Sequence, residues 1–153
     1  MAKESAGLLL FRRAAGNLEF LLVHPGGPFW KNKDAGSWTI PKGEILHEEE
    51  PLAAAMREFE EELGITPKGT FLRLAPVRQK GGKLIHAWAF ESDFDVAQLS
   101  SNTFSIEWPP RSGKMQELPE VDRAAFFRLE EARLKINPAQ LAFLQQLIDS
   151  VGL

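Results

Sequence analysis

At 153 residues the chain is long enough to bury a substantial core, and no linker divides it, so one domain spanning 1–153 is expected. With 44% hydrophobic and 25% charged residues and a formal net charge of −3, the composition is that of an ordinary soluble protein and argues against a broad basic track for extended nucleic acid. The absence of cysteine excludes disulfides, thiolate zinc sites and cysteine nucleophiles; the apolar run 6–11 is too short for a signal-peptide core or a membrane span, so a cytoplasmic protein without membrane contact is expected.

Residues 6–11 and 18–23 are β-like runs, and the Ala-Gly-Asn stretch between them supplies a hairpin turn. His24 and the Pro25-Gly26-Gly27-Pro28 cluster then open a loop of about thirteen residues that reaches Trp38, long enough in a compact domain to imply a function. Trp38-Thr39-Ile40 reads as a strand end, and Pro41-Lys42-Gly43-Glu44 as a turn. From 50 to 63, apolar residues at Leu52, Met56, Phe59 and Leu63 line one stripe of a helix. Pro51 suits its first turn and Gly64 its left-handed C-terminal cap. Residues 70–79 and 83–90 pair as strands around Gly81-Gly82. Leu84, His86, Trp88 and Phe90 face one side and Ile85, Ala87 and Ala89 the other, which suits a sheet covered on both faces. The proline-punctuated stretch 101–120 cannot be a helix and reads as a second long irregular loop. Residues 124–129 are strand-like. The stretch 138–151 reads as an amphipathic terminal helix through Leu141, Leu144, Leu147, Ile148 and Val151.

The chemistry concentrates on the helix 50–63. At 3.6 residues per turn, Glu58, Glu61 and Glu62 fall within an arc of about 100°, clear of the apolar stripe and with no lysine or arginine among them. Like charges at such spacings weaken a helix by about 0.2–0.5 kcal/mol per pair unless a cation sits on them. Hard oxygen ligands of this kind suit Mg²⁺ or Mn²⁺. The plainer reading is an acidic solvated face, which most such runs are.

A longer pattern decides between them. Residues 43–65 run glycine, five residues, Glu49, seven residues, Arg57-Glu58, an aromatic, one residue, Glu61-Glu62, one residue, Gly64, Ile65. All nine fixed or class-restricted positions are filled, and the chain resembles the Nudix hydrolases. That resemblance implies an α+β fold, a mixed β-sheet between α-helices in an α/β/α sandwich. It implies metal-dependent attack of water on a diphosphate joined to another moiety. By position, Glu61 and Glu62 correspond to direct metal ligands and Glu58 to a ligand or the base that activates water. Glu49 corresponds to the partner of Arg57, and the Lys42 carbonyl to a further ligand, with the Lys42 ammonium left for a phosphate. Many family members add an acidic residue from a distant loop. Of Glu107, Glu117, Glu120 and Asp122, Glu120 is the choice because it sits before the last expected strand. Family members often stack a base or sugar on aromatic residues: Trp30 and Trp108, in loops, are the candidates here, whereas Trp38 and Trp88 read as core. His47 and His86 receive no role.

The Trp38-Thr-Ile-Pro-Lys-Gly lead-in resembles that of Nudix hydrolases acting on dinucleoside polyphosphates and diphosphoinositol polyphosphates. The expected substrate is therefore a phosphoanhydride-containing small molecule, a dinucleoside polyphosphate such as diadenosine tetraphosphate. Alternatives are a nucleoside triphosphate or nucleotide-sugar pyrophosphatase, an RNA 5′-end pyrophosphohydrolase, and a non-catalytic nucleotide-binding module.

Overall fold

The computed structural model describes residues 3–151. Strands β1 (Glu4–Ala14) and β2 (Asn17–Pro25) form a hairpin closed by Ala15 and Gly16, whose φ angles of 51° and 81° give the turn that matches the twist of paired strands. The hairpin does not stay closed. Its ladder runs only from Ala14 opposite Asn17 to Phe11 opposite Phe20, after which the strands part. Into the opening comes the segment 38–44. Thr39 bridges to Val23 of β2, the Leu8 N–H donates to the Pro41 carbonyl, and β3 (Lys42–Glu44) runs antiparallel to β1 with Lys42 opposite Gly7. Gly7 makes the close approach possible, since a Cβ there would collide with the Pro41 carbonyl and with the Lys42 side chain. The expected strand end at 38–40 is thus a pair of isolated bridges, and the expected turn at 41–44 contains a short strand. Unpaired backbone groups in the splayed hairpin supply the reason.

Across β1 on its other side lies β5 (Leu84–Glu91), parallel to it and paired from Glu4–Leu84 to Phe11–Glu91. With β4 (Leu72–Arg78) beyond β5 and β8 (Val121–Arg128) beyond β2, the order is β4-β5-β1-β2-β8. Alternation along these strands builds two cores. On one face Ala6, Leu8, Leu10, Trp88 and Phe90 meet α1 (Pro51–Leu63) through Ala54, Ala55, Phe59 and Leu63. On the other, Leu9, Phe20, Leu22, Ile85, Ala87 and Ala89 meet α2 (Leu129–Lys135) and α3 (Leu141–Val151). The expected mixed sheet between helices is present, with the β5 faces as read from their alternation.

Three elements differ from expectation. The stretch 101–120 is a hairpin of β6 (Thr103–Glu107) and β7 (Met115–Pro119), in which Phe104 opposes Leu118 and Ile106 opposes Gln116. Its prolines sit in the turn and at the strand end, where no ladder donor is required. Helix α2 follows β8 directly, so the last strand ends at Arg128 and Leu129 is already helical. The terminal helix begins with a 3₁₀ turn at Pro138–Gln140, which shifts its phase: Phe143 is fully buried while Leu141 is 40% exposed. Among the described residues no helix is long and apolar enough to cross a membrane.

Candidate active site

Helix α1 places the acidic residues. Pro51 occupies its first turn, and Gly64, at φ 84°, ends it by donating its N–H to the Glu60 carbonyl at 2.8 Å. Leu63 and Phe59 are sealed against the sheet, Phe59 edge-on to Phe90 with ring centroids 5.5 Å apart, which fixes the rotation of the helix about its axis. Leu52 and Met56 are only partly buried, and Ala54 and Ala55 take the tightest contact instead. With that face fixed, Glu58 and Glu62, one turn apart, are each only 9% exposed, whereas the Glu61 side chain is 34% exposed. Glu58 lies on Gly43, where any Cβ would fall on its carboxyl group. Gly43→Ala is therefore expected to displace Glu58 and lower turnover by about 10- to 100-fold, as loss of a residue that orients metal ligands does. Steady-state kinetics alongside a thermal melt tests this; unchanged kcat would show that the position of Glu58 is immaterial.

Arg57 braces the loop before α1. It donates from Nε to Glu49 Oε2 at 2.8 Å, and from Nη2 to Glu49 Oε1 and the Glu44 carbonyl, both at 3.0 Å. The Leu46 N–H adds a third bond to Glu49 at 3.0 Å. Arg57 and this backbone donor hold the Glu49 carboxyl below its usual range. The same guanidinium reaches further: Nη1 is 3.2 Å from Glu61 Oε2 and 3.4 Å from Glu58 Oε1. The expectation that no arginine stands among the three carboxylates is thereby corrected; four-residue spacing on a helix brings Arg57 to Glu61.

Glu120 arrives from the far end of the chain. Its N–H donates to the Asn102 carbonyl at 2.8 Å and its carbonyl accepts from Gly26 at 2.9 Å, which fixes it between the β6–β7 hairpin and β8. The neighbouring acids are committed elsewhere. Glu107 accepts from the Arg111 and Gly113 N–H groups in the hairpin turn, Glu117 accepts from the Thr103 hydroxyl, and Asp122 meets His24. The result is a concentration of unbalanced negative charge. Burial, then Glu61 and Glu120, push Glu58 up to about 7; burial and Glu58 push Glu62 well above its ordinary value; burial and Glu61 raise Glu120.

Lys42 forms the opposite wall. Burial followed by the charge of Lys83 pushes its ammonium below the usual lysine range, against the pull of Glu62 and Glu58. Lys42, Glu62 and Glu120 line a cavity of ≈ 260 Å³ with Thr39, Gln79 and Trp30, a residue 38% exposed. Trp108 is not brought to this cavity. It sits where the β6–β7 turn begins, packs edge-on against Phe29 at 5.3 Å, and lines a neighbouring depression of ≈ 410 Å³ with Gly27, Pro28 and Lys31. Trp38 and Trp88 are core residues. His24, which gave no signal of its own in the sequence, is completely buried beside the site.

The donor set suits a hard divalent cation: carboxylate oxygens, two of them buried, whose mutual repulsion a cation relieves. Among the described residues no three such side chains stand close enough together to hold an ion as they are placed. Arg57 Nη1, in contact with Glu61 and Glu58, partly offsets their charge in this arrangement.

A family model described as NUDIX domain matches residues 1–147. The asymmetrical bis(5′-nucleosyl)-tetraphosphatase of Caenorhabditis elegans is 39% identical over 66 residues, 43% of this chain; the match spans less than half, 44%, of that relative's length. Over nearly the full length, the crystal structure of a C. elegans Ap4A hydrolase binary complex is similar with a TM-score of 0.68 and 26% identity, covering 96% of this chain and 97% of that one. The NUDIX domain of Shewanella oneidensis NrtR complexed with ADP ribose shares the fold at a TM-score of 0.67 and 15% identity, covering 99% of this chain and 89% of that one. The family match agrees with the resemblance carried by residues 43–65, and the two nematode relatives with that carried by the Pro-Lys-Gly lead-in. Members of the family typically depend on a divalent metal.

Proposed function

The chain belongs to the NUDIX domain family, and on that premise we propose that it hydrolyses a phosphoanhydride bond in a dinucleoside polyphosphate such as diadenosine tetraphosphate, with Mg²⁺ or Mn²⁺ as cofactor. The observation that carries this reading is that Glu62 of the helix and the distant Glu120 line one cavity with Lys42 and Trp30, with Glu58 and Glu61 near enough for their charges to act on these carboxyls. Glu61 and Glu62 hold the metal, with the Lys42 carbonyl as a further donor. When bound, the ion supplies charge neutralisation on the phosphate oxygens and a more acidic water. Glu58 and Glu120 serve as further ligands or accept the proton that water loses. The Lys42 ammonium meets a phosphate oxygen, and Trp30 stacks on a base. A cytoplasmic nucleotide pool is the setting this chemistry calls for.

The name of the nematode relative adds asymmetric cleavage, which from diadenosine tetraphosphate gives AMP and ATP rather than two ADP. A hydrolysis screen with Mg²⁺ or Mn²⁺ tests the reading, taking dinucleoside polyphosphates, nucleoside triphosphates, nucleotide sugars and diphosphoinositol polyphosphates as substrates with products separated by chromatography. Diadenosine tetraphosphate is expected to be cut fastest, to AMP and ATP. Faster cleavage of another class would retain the metal site and discard this substrate, and no turnover of any compound would favour a nucleotide-binding module.

A further inference from the structure

His24 ends the regular part of β2 where the chain leaves for the loop 25–37, and it is fully buried, at 0% exposure. Both of its ring nitrogens are engaged. The Lys33 carbonyl can only accept, so Nε2 donates to it at 2.6 Å, while Nδ1 lies 2.8 Å from Asp122 Oδ1 on β8. The ring also stands edge-on to Trp38, centroids 5.3 Å apart. A side chain engaged on three sides cannot change rotamer without breaking these contacts.

The loop it holds carries Trp30. The Trp30 N–H donates to the Gly27 carbonyl at 3.2 Å, the Lys33 N–H donates to the Trp30 carbonyl at 3.0 Å, and the Lys33 carbonyl accepts from His24. The Lys33 ammonium lies 5.1 Å from the Trp30 ring centroid. Hydrogen bonds thus connect β8 to Trp30 through Asp122, His24 and Lys33. Among the described residues, the His24 bond is the only hydrogen bond that ties the stretch 28–33 to a strand. Glu120 has separate ties, to Asn102 and Gly26, so the catalytic carboxylates do not depend on it.

We propose that His24 is a positioning residue that holds Trp30 over the cavity beside Lys42 and Glu120, and so sets affinity for the nucleotide rather than the rate of its hydrolysis. The inference rests on the reading that Trp30 stacks on a base.

A double-mutant cycle tests it, with kcat and KM for diadenosine tetraphosphate measured in saturating Mg²⁺. Trp30→Ala is expected to raise KM about tenfold, the cost of losing one base stack. His24→Phe, which keeps an aromatic ring and removes both hydrogen bonds, is expected to raise KM about fivefold with kcat within about twofold of wild type. Combined with Trp30→Ala, it is expected to add nothing, because the two residues act in series. Asp122→Asn retains a side chain that can hydrogen-bond Nδ1 in either direction and should behave as wild type, whereas Asp122→Ala should resemble His24→Phe and replaces it in the cycle if the buried substitution prevents folding. An unchanged KM in Trp30→Ala removes the stacking reading and the inference with it. A raised KM there, with His24→Phe either silent, fully additive or lowering kcat, overturns the inference alone.

Discussion

Glu61→Gln is expected to lower kcat for diadenosine tetraphosphate by about a thousandfold or more while leaving the fold intact, on the scale seen when a transition-state electrostatic contact is removed. Its exposure is what makes the substitution informative. With 34% of its side chain open to solvent, Glu61 contributes little to packing, and a glutamine carbonyl can still accept from Arg57 Nη1, now 3.2 Å from Oε2. The surface ion pair it loses is worth about 0.2–0.5 kcal/mol, so the melting temperature should scarcely move. A neutral amide oxygen is a much poorer ligand for a hard divalent ion, so affinity for Mg²⁺ should fall with kcat. Isothermal titration with Mg²⁺ and steady-state kinetics on the same preparations separate the possibilities. Retained kcat in a well-folded variant would remove Glu61 from the metal site and, with it, the role carried over from residues 43–65.

Much of this site was legible because its determinants are local. Glycine, proline and charge spacing within 43–65 mark a loop, a helix and its cap, and α1 begins and ends where Pro51 and Gly64 place it. Alternation along 84–90 likewise assigned both faces of β5, since side-chain direction in a strand has a strict period of two. What escaped depends on partners far away in sequence. β3 exists because the β1–β2 hairpin splays, and no pattern in Lys42-Gly43-Glu44 announces an opening that it will fill. The β6–β7 hairpin was hidden by the prolines of its turn, although Phe104, Ile106 and Leu118 carried its alternation. Gln140 is buried because its side chain accepts from the Ile40 N–H at 3.0 Å, one hundred residues upstream. His24 was unreadable for the same reason: its partners are a backbone carbonyl and a carboxylate 98 positions on. What sets Glu120 apart from its acidic neighbours is visible only in three dimensions, where Glu107, Glu117 and Asp122 are hydrogen-bonded to other groups.

The charge cluster that equips the site also makes the metal-free protein sensitive to pH in an unusual direction. A carboxyl group that titrates higher in the folded than in the unfolded chain binds its proton more tightly when folded. Its penalty is absent below the unfolded value, grows as pH rises, and is complete above the folded value. For Glu58 that window runs from 4.5 to about 7, and buried Glu62 and Glu120 shift in the same direction. The burial of Glu58 and its interaction with its acidic neighbours account for on the order of 3 kcal/mol over that interval. In a domain of this size that corresponds to a melting temperature lower by about 5–10 °C at pH 8 than at pH 5. Glu49, Asp34 and Asp93 are shifted downward, and the stability they contribute is lost as pH falls through the acid range, which opposes the effect of the raised carboxyls there. Divalent cation should reverse the slope. At pH 8 the carboxylates are ionised and Mg²⁺ removes their repulsion, whereas at pH 5 protons compete for the same oxygens. Thermal melts at the two pH values, with EDTA and with saturating Mg²⁺, should show a large gain from the ion at pH 8 and little at pH 5. Glu58→Gln should flatten the metal-free slope. An equal gain from Mg²⁺ at both pH values, or a metal-free melting temperature that rises from pH 5 to pH 8, would mean that these carboxylates are not the destabilised cluster into which a cation binds.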